Sequence, residues 1–220
     1  MADNNNVGVG SNVGGGGVSA LSNTSVTWAN IPAAGTAGRT IFVSNAGTKG
    51  SFWYDDGTRW KPMNGQCLLA SLDSASANIG STSTIVMQAT IPAGMWQTGD
   101  IIRVQGFMEK SGATDTGITV ISCGTSGTTS DTGLISATWM AATSRTTDYF
   151  NDFRLESATS SQLVSIAPGY GATTSVLASP VTISSAATNT LYISWGIRSS
   201  GATDTVSGRA GSVWLISKAN

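Results

Sequence analysis

Three carboxylates spaced four residues apart, Asp148, Asp152 and Glu156, form the densest acid–base set in this 220-residue chain. Glycoside hydrolysis requires two carboxylates held across a sugar-sized cleft, and on a β-strand these three side chains point to one side. Arg154 shares their parity, so the set also reads as a charge-balanced, solvated strand face, and that reading is favoured. The chain has no histidine. This removes Ser-His-Asp and Cys-His nucleophiles, imidazole proton transfer and histidine-bearing zinc sites. Cys67 and Cys123, in a reducing compartment, read as two small, half-buried apolar side chains. With no imidazole beside them, neither is expected to be an activated nucleophile. Gly14–Gly17 is followed by neither lysine nor a helical pattern, so it is no phosphate loop. The chain is expected not to be an enzyme: no catalytic residue, cofactor or metal site is assigned.

Charge is scarce throughout, with 11 Lys and Arg against 12 Asp and Glu, a net charge of −1 and a pI near 5.2. Charged residues make up 10% of the chain, against about 25% in ordinary soluble domains. Ser and Thr exceed a quarter of the sequence, so hydroxyls rather than ions must keep the surface polar. No electrostatic footprint exists for nucleic acid or an anionic membrane. No run of eighteen apolar residues would insert into a bilayer. The N-terminus lacks the basic start and apolar stretch of a signal peptide, and folding in a cytoplasm is expected.

The elements that must carry any site are strands. Thr and Gly are abundant and disfavour helix, and no heptad pattern is present. Residues 1–25 form a low-complexity arm, with Asn4, Asn5 and Asn6, then Gly14–Gly17, and valines at 7, 9, 13 and 18. Four successive glycines cost too much backbone entropy to order alone, so the arm is flexible or docks on a partner. Residues 26–65 read as a small β-meander: Arg39–Ser44, Ser51–Tyr54, the hairpin signal Asp56-Gly57 and Thr58–Pro62. Trp28, Trp53 and Trp60 are expected to form its own miniature core.

Residues 66–220 read as one antiparallel sandwich of ten strands. The expected strands are 66–72, 84–90, 101–109, 117–123, 134–140, 147–156, 162–166, 175–183, 191–197 and 212–217, with Gly, Ser, Thr and Asp between them. Leu191, Ile193, Trp195 and Ile197 alternate onto one face, whereas Val213–Ser217 suggests burial on both. The hexapeptide Ser111-Gly-Ala-Thr-Asp-Thr116 returns unchanged as Ser200-Gly-Ala-Thr-Asp-Thr205, each copy following a strong strand. Turn chemistry accounts for the echo: Gly112 and Gly201 supply positive φ, and Asp115 and Asp204 close Asx turns. An ion site or a ligand-contacting rim is the minority reading. Trp96 and Tyr170 fall in or beside loops and are candidate partner contacts.

Two stretches resemble structural proteins of tailed bacteriophages. Gly38–Gly65, with Gly50-Ser-Phe-Trp-Tyr54 and Asp56-Gly-Thr-Arg-Trp-Lys-Pro62, is similar to a module found near the knobs of phage fibre and head-decoration proteins. Ala89-Thr-Ile-Pro-Ala-Gly-Met-Trp-Gln-Thr-Gly-Asp-Ile-Ile-Arg-Val104, with the two hexapeptide loops, is similar to their terminal jelly-roll knobs. The likeness runs over residues 36 to 217. It implies an all-β virion protein, a homotrimer packed about a threefold axis, that binds a host surface glycan or protein or caps the capsid. A short fibre is the leading expectation and a capsid-decoration protein bound to the major capsid protein the alternative. A polysaccharide-degrading tailspike comes third. On this view Asn4, Asn5, Asn6, Val7, Val9, Val13 and Val18 attach the chain to other virion proteins. Asp115, Asp204, Tyr170 and Trp96 face a partner or host.

Overall fold

The computed structural model describes residues 25–157, 162–167 and 181–218. Its regular structure is all β, apart from one 3-10 turn at Trp28–Asn30. The first sheet contains β1 (Ser25–Val26), β2 (Thr40–Val43), β3 (Ser51–Asp55) and β4 (Trp60–Pro62) in that spatial order. Ser25, the last residue of the expected arm, thus already pairs with Phe42. The β3–β4 connection is the expected hairpin. Asp56 accepts hydrogen bonds from the Thr58 and Arg59 backbone N–H groups, and Gly57 takes φ 96°. The preceding Asp55 is fully buried, accepting from the backbone N–H of Gly35, Thr36 and Gly57 and from the Arg39 guanidinium.

The meander does not keep a core of its own. Trp28 and Trp53 meet edge to face at 4.8 Å, and Trp60 donates to the Pro32 carbonyl. Their apolar cluster, however, is continuous with that of the sandwich. The Trp28 indole N–H donates to the Ala93 carbonyl at 2.9 Å, and Gly47 lies so close to Leu68 that a Cβ would sit 2.0 Å from its carbonyl oxygen. Forty residues enclose too little volume to bury three indoles, so the meander shares the larger core.

The sandwich strands are β5 (Gln66–Leu72), β6 (Thr84–Ile91), β7 (Ile101–Lys110), β8 (Gly117–Gly124), β9 (Thr132–Met140), β10 (Thr146–Ser157), β11 (Gln162–Ala167), β12 (Val181–Thr182), β13 (Leu191–Ser199) and β14 (Val206–Ile216). One sheet runs β12-β11-β10-β7-β14-β5, the other β6-β13-β8-β9, and all neighbours in both are antiparallel. Without β11 and β12, which extend one edge, this is the eight-stranded jelly-roll order. Residues 175–180 of the expected strand 175–183 lie outside the described residues.

Alternation places Ile102, Val104 and Met108 of β7, Val213 and Leu215 of β14, and Leu191, Ile193, Trp195 and Ile197 of β13 in the core. The segment Val213–Ser217 is fully buried on one face only, since Trp214 and Ile216 are half-buried on the other. Trp195 fills the space between the sheets, and β14 accommodates it by omitting side chains. A Cβ at Gly211 would lie 2.8 Å from the indole, and one at Gly208 would lie 3.4 Å from it. Gly211→Ala is therefore expected to cost about 1–3 kcal/mol through overpacking, read as a lower urea midpoint with an unchanged slope.

Candidate functional site

The repeated hexapeptide folds as a reciprocal clasp between the β7–β8 and β13–β14 loops. The Asp204 carboxylate accepts from the N–H groups of Thr114 and Asp115, both at 2.8 Å. The Asp115 carboxylate accepts from Thr203 and Asp204, at 2.9 and 2.8 Å. Ser111 N–H donates to the Thr205 carbonyl and Ser200 N–H to that of Thr116, while the Ser111 and Ser200 hydroxyls accept from Thr205 and Thr116. Each aspartate closes the other loop, not its own. The glycines serve this approach rather than a positive φ. A Cβ at Gly112 would lie 1.9 Å from an Asp204 oxygen, and one at Gly201 2.3 Å from an Asp115 oxygen. Asp204 is buried and Asp115 half-buried, so neither forms the open rim that the loop sequence suggested.

The symmetry breaks at one residue. Lys110, whose side chain is 0% exposed, donates to the backbone carbonyls of Asp115, Ala141 and Ala142 and lies 3.8 Å from Asp204. The equivalent place in the other loop holds Ser199, whose hydroxyl reaches Asp115. The Asp115 N–H, chief among the influences on Asp204, holds its carboxyl below the usual value. Burial opposes this, and Thr114 N–H, Lys110 and Arg145 reinforce it.

Trp96 is a core residue, not a contact. It is 0% exposed, and its indole N–H donates to the Asp100 carbonyl. The Pro-Ala-Gly loop folds inward because Asp100 gathers the meander and the end of β14, accepting from Gln97 N–H and Lys218 N–H and pairing with Arg59 at 2.8 Å. Tyr170 and the arm residues Asn4, Asn5, Asn6, Val7, Val9, Val13 and Val18 lie outside the described residues.

The acidic strand does not assemble a hydrolytic pair. Four strand residues span about 13 Å, beyond the roughly 5–9.5 Å that separates glycosidase carboxylates. Asp152, far from being solvated, is buried beneath a bidentate pair with Arg103, both contacts 2.7 Å, and Glu156 pairs with Arg154. Cys67 and Cys123 are free and buried. Burial, with the nearby Asp131 charge, pushes the Cys123 thiol up to about 12, where no thiolate forms at neutral pH. Among the described residues no three Asp, Glu or Cys side chains gather as a metal site.

What the outer face of the larger sheet does present is a groove of about 400 Å³ across β10, β7 and β14. Cross-strand register builds it in rows: Asp148 beside Phe107 and Ala210, then Phe150 beside Gln105 and Ser212, then Asp152 beside Arg103 and Trp214. A bulge in β14 between Gly208 and Ala210 sets this register. The Phe107 ring is 38% exposed, and Phe150 carries the Arg103 guanidinium over its ring at 5.7 Å. The backbone of Gly106 and Gly211 lines the groove between these rows. Periodicity of single strands foretold none of this, because the rows exist only once three strands far apart in sequence are aligned.

No family model and no curated protein matches the chain. Two solved structures show likeness. One is that of the infectious bursal disease virus Gx strain, at 15% identity and TM-score 0.34, covering 68% of this chain. This chain spans only 30% of that one. The other is the carbohydrate esterase vb_24B_21 of the Shiga toxin-encoding bacteriophage phi24B, at 14% identity and TM-score 0.30, covering 83% of this chain and 89% of that one. Likenesses of this size assign neither activity nor location.

Two outcomes test the clasp. Asp115→Ala and Asp204→Ala are each expected to destabilise, with the double variant losing clearly less than the sum in urea titrations; independent loops would add. Lys110→Met is expected to cost about 1–3 kcal/mol by stranding buried carbonyls. The pH profile follows from carboxyls held below their ordinary 3.8. Burial raises Asp55, but Arg39 and the N–H groups of Thr36, Gly57 and Gly35 outweigh it and hold the group at about 2. Lys61, Thr58 and Arg59 depress Asp56 further, and Asp204 is also lowered. Folded values below unfolded ones mean stability is complete above about pH 4 and lost as pH falls toward 2. With no histidine, the thermal midpoint is expected to stay flat from pH 5 to 8.

Proposed function

We propose that this chain is a non-enzymatic structural protein of a bacteriophage particle, a short homotrimeric fibre that adheres to the host surface. Residues 1–25 attach it to other virion proteins, the meander joins that arm to the knob, and the jelly roll presents the adhesive face. One observation carries the adhesive role. The described surface has an open, aromatic-lined ledge on a rigid sheet, the form expected of a binding face rather than of an enclosed reaction chamber. The phage-like motifs at Gly38–Gly65 and Ala89–Val104 support the assignment to a virion, as does the low-charge, hydroxyl-rich surface.

The test is adsorption and particle mapping. The purified chain is expected to run in light scattering at three times its 22.4 kDa mass and to compete with phage particles for host cells. Reconstruction of the particle is expected to place it at the tail. A stable monomer at micromolar concentration removes the trimer. Density on the capsid lattice, with no competition for cells, replaces the fibre by a capsid-decoration protein.

A further inference from the structure

The groove over Phe107 and Phe150 is one end of a longer strip. Along the same outer face the next row sets Arg154 beside Ile101 and Ile216, and a second depression of about 560 Å³ is lined there by Ile101, Arg154, Ile216 and Lys218. From Phe107 to Ile101 the strip runs about 20 Å along β7. Its surface alternates between rings and hydrogen-bonding groups. Phe107, Phe150 and Trp214 supply flat apolar faces, and the Trp214 N–H is already satisfied by Ser212 at 2.9 Å. Gln105 and Asp148 project between them with no side-chain partner among the described residues.

The charges on the strip are mostly spent internally. Arg103 is held by Asp152 and Arg154 by Glu156; among the described residues this leaves Asp148 without an ion pair beside the two phenylalanines, and Lys218 at the far end of the strip by Ile101. That carboxylate opposes an anionic ligand and accepts hydroxyl donors well. Rings that stack on C–H faces, flanked by an amide and a carboxylate that bond hydroxyls, suit one chemistry. We infer that this strip binds an uncharged oligosaccharide, laid along β7, with Phe107 and Phe150 under sugar rings and Asp148 and Gln105 on their hydroxyls. The inference rests on the adhesive reading above and gives it a ligand class.

The experiment titrates the full chain with maltohexaose, cellohexaose and mannohexaose, and with hexagalacturonate as the anionic probe, at up to millimolar concentration, following tryptophan fluorescence and heat. At least one neutral sugar is expected to bind and the anionic probe not to. Phe107→Ala and Phe150→Ala are each expected to weaken binding about tenfold, and Asp148→Asn to weaken it less. Phe52→Ala, which removes an exposed ring on β3, leaves binding unchanged, and circular dichroism verifies that each variant is folded. No binding by any neutral sugar, or binding of hexagalacturonate alone, overturns the inference. So does conversion of the oligomer to monomer by Phe107→Ala, which would make the strip a contact between copies. Host-cell competition by the wild-type chain is scored separately. If it persists while every sugar fails, the adhesive reading stands and only the ligand class falls.

Discussion

The reciprocal clasp of the two Ser-Gly-Ala-Thr-Asp-Thr loops is the constraint on which the rest of the sandwich depends. It ties the ends of β7 and β14, neighbours in one sheet, to those of β8 and β13, neighbours in the other. By pairing Ser111 with Thr205 it fixes the register at the start of the β7–β14 ladder. From there the ladder runs unchanged to Met108, skips Arg209 at the bulge, and continues with Phe107 opposite Ala210. Slipping that ladder by one residue would turn Ser212 and Trp214 into the core and Val213 and Leu215 into solvent. Because Asp115 and Asp204 use charged acceptors on backbone N–H groups, the register is held by bonds stronger than the neutral ladder alone supplies.

A low-charge chain has few ion pairs, and among the described residues Arg154–Glu156 and Arg209–Glu109 lie on the surface while others sit at junctions. Arg59 with Asp100 joins the meander to the sandwich, Lys61 with Asp56 closes the β3–β4 hairpin, and Arg103 with Asp152 clamps β7 to β10. These pairs combine partial burial with further hydrogen bonds, the conditions under which an ion pair contributes specificity beyond the small value of an exposed one. Hydroxyl groups perform the remaining surface work without imposing a field.

Most of the strands were legible because alternation and turn residues act locally. Gln66–Leu72 matches its expected limits, and the other described strands differ by a few residues at their ends, β14 most of all. Its first half, Val206–Gly211, carries Gly and Ser where Trp195 intrudes, so its strand character comes from pairing with β7 in its own sheet and not from its own side chains. Trp96 was misplaced for a related reason. A loop composition says that the backbone turns, but burial of the indole depends on Asp100, Arg59 and Lys218 converging from three segments. The hexapeptide echo did contain a usable signal. Identical loops after strands that end up side by side are suited to bond each other, and glycine beside an aspartate-bearing twin marks a close approach as readily as a positive φ. The groove had no such local mark, since its three rows are a product of register between β10, β7 and β14.

The meander and the clasp lie at opposite ends of β7, near Ile101 and beyond Lys110 respectively, and this polarity has a mechanical consequence. Gln66 pairs with Ile216 at the meander end, so the chain enters the sandwich beside the place where its last strand leaves. A pull on the segment before Gln66, resisted by a load held on the face of β7, β10 and β14, acts along the strands. Antiparallel ladder bonds lie across that direction. The β5–β14 ladder is then loaded in shear, with its bonds sharing the force together instead of opening one after another.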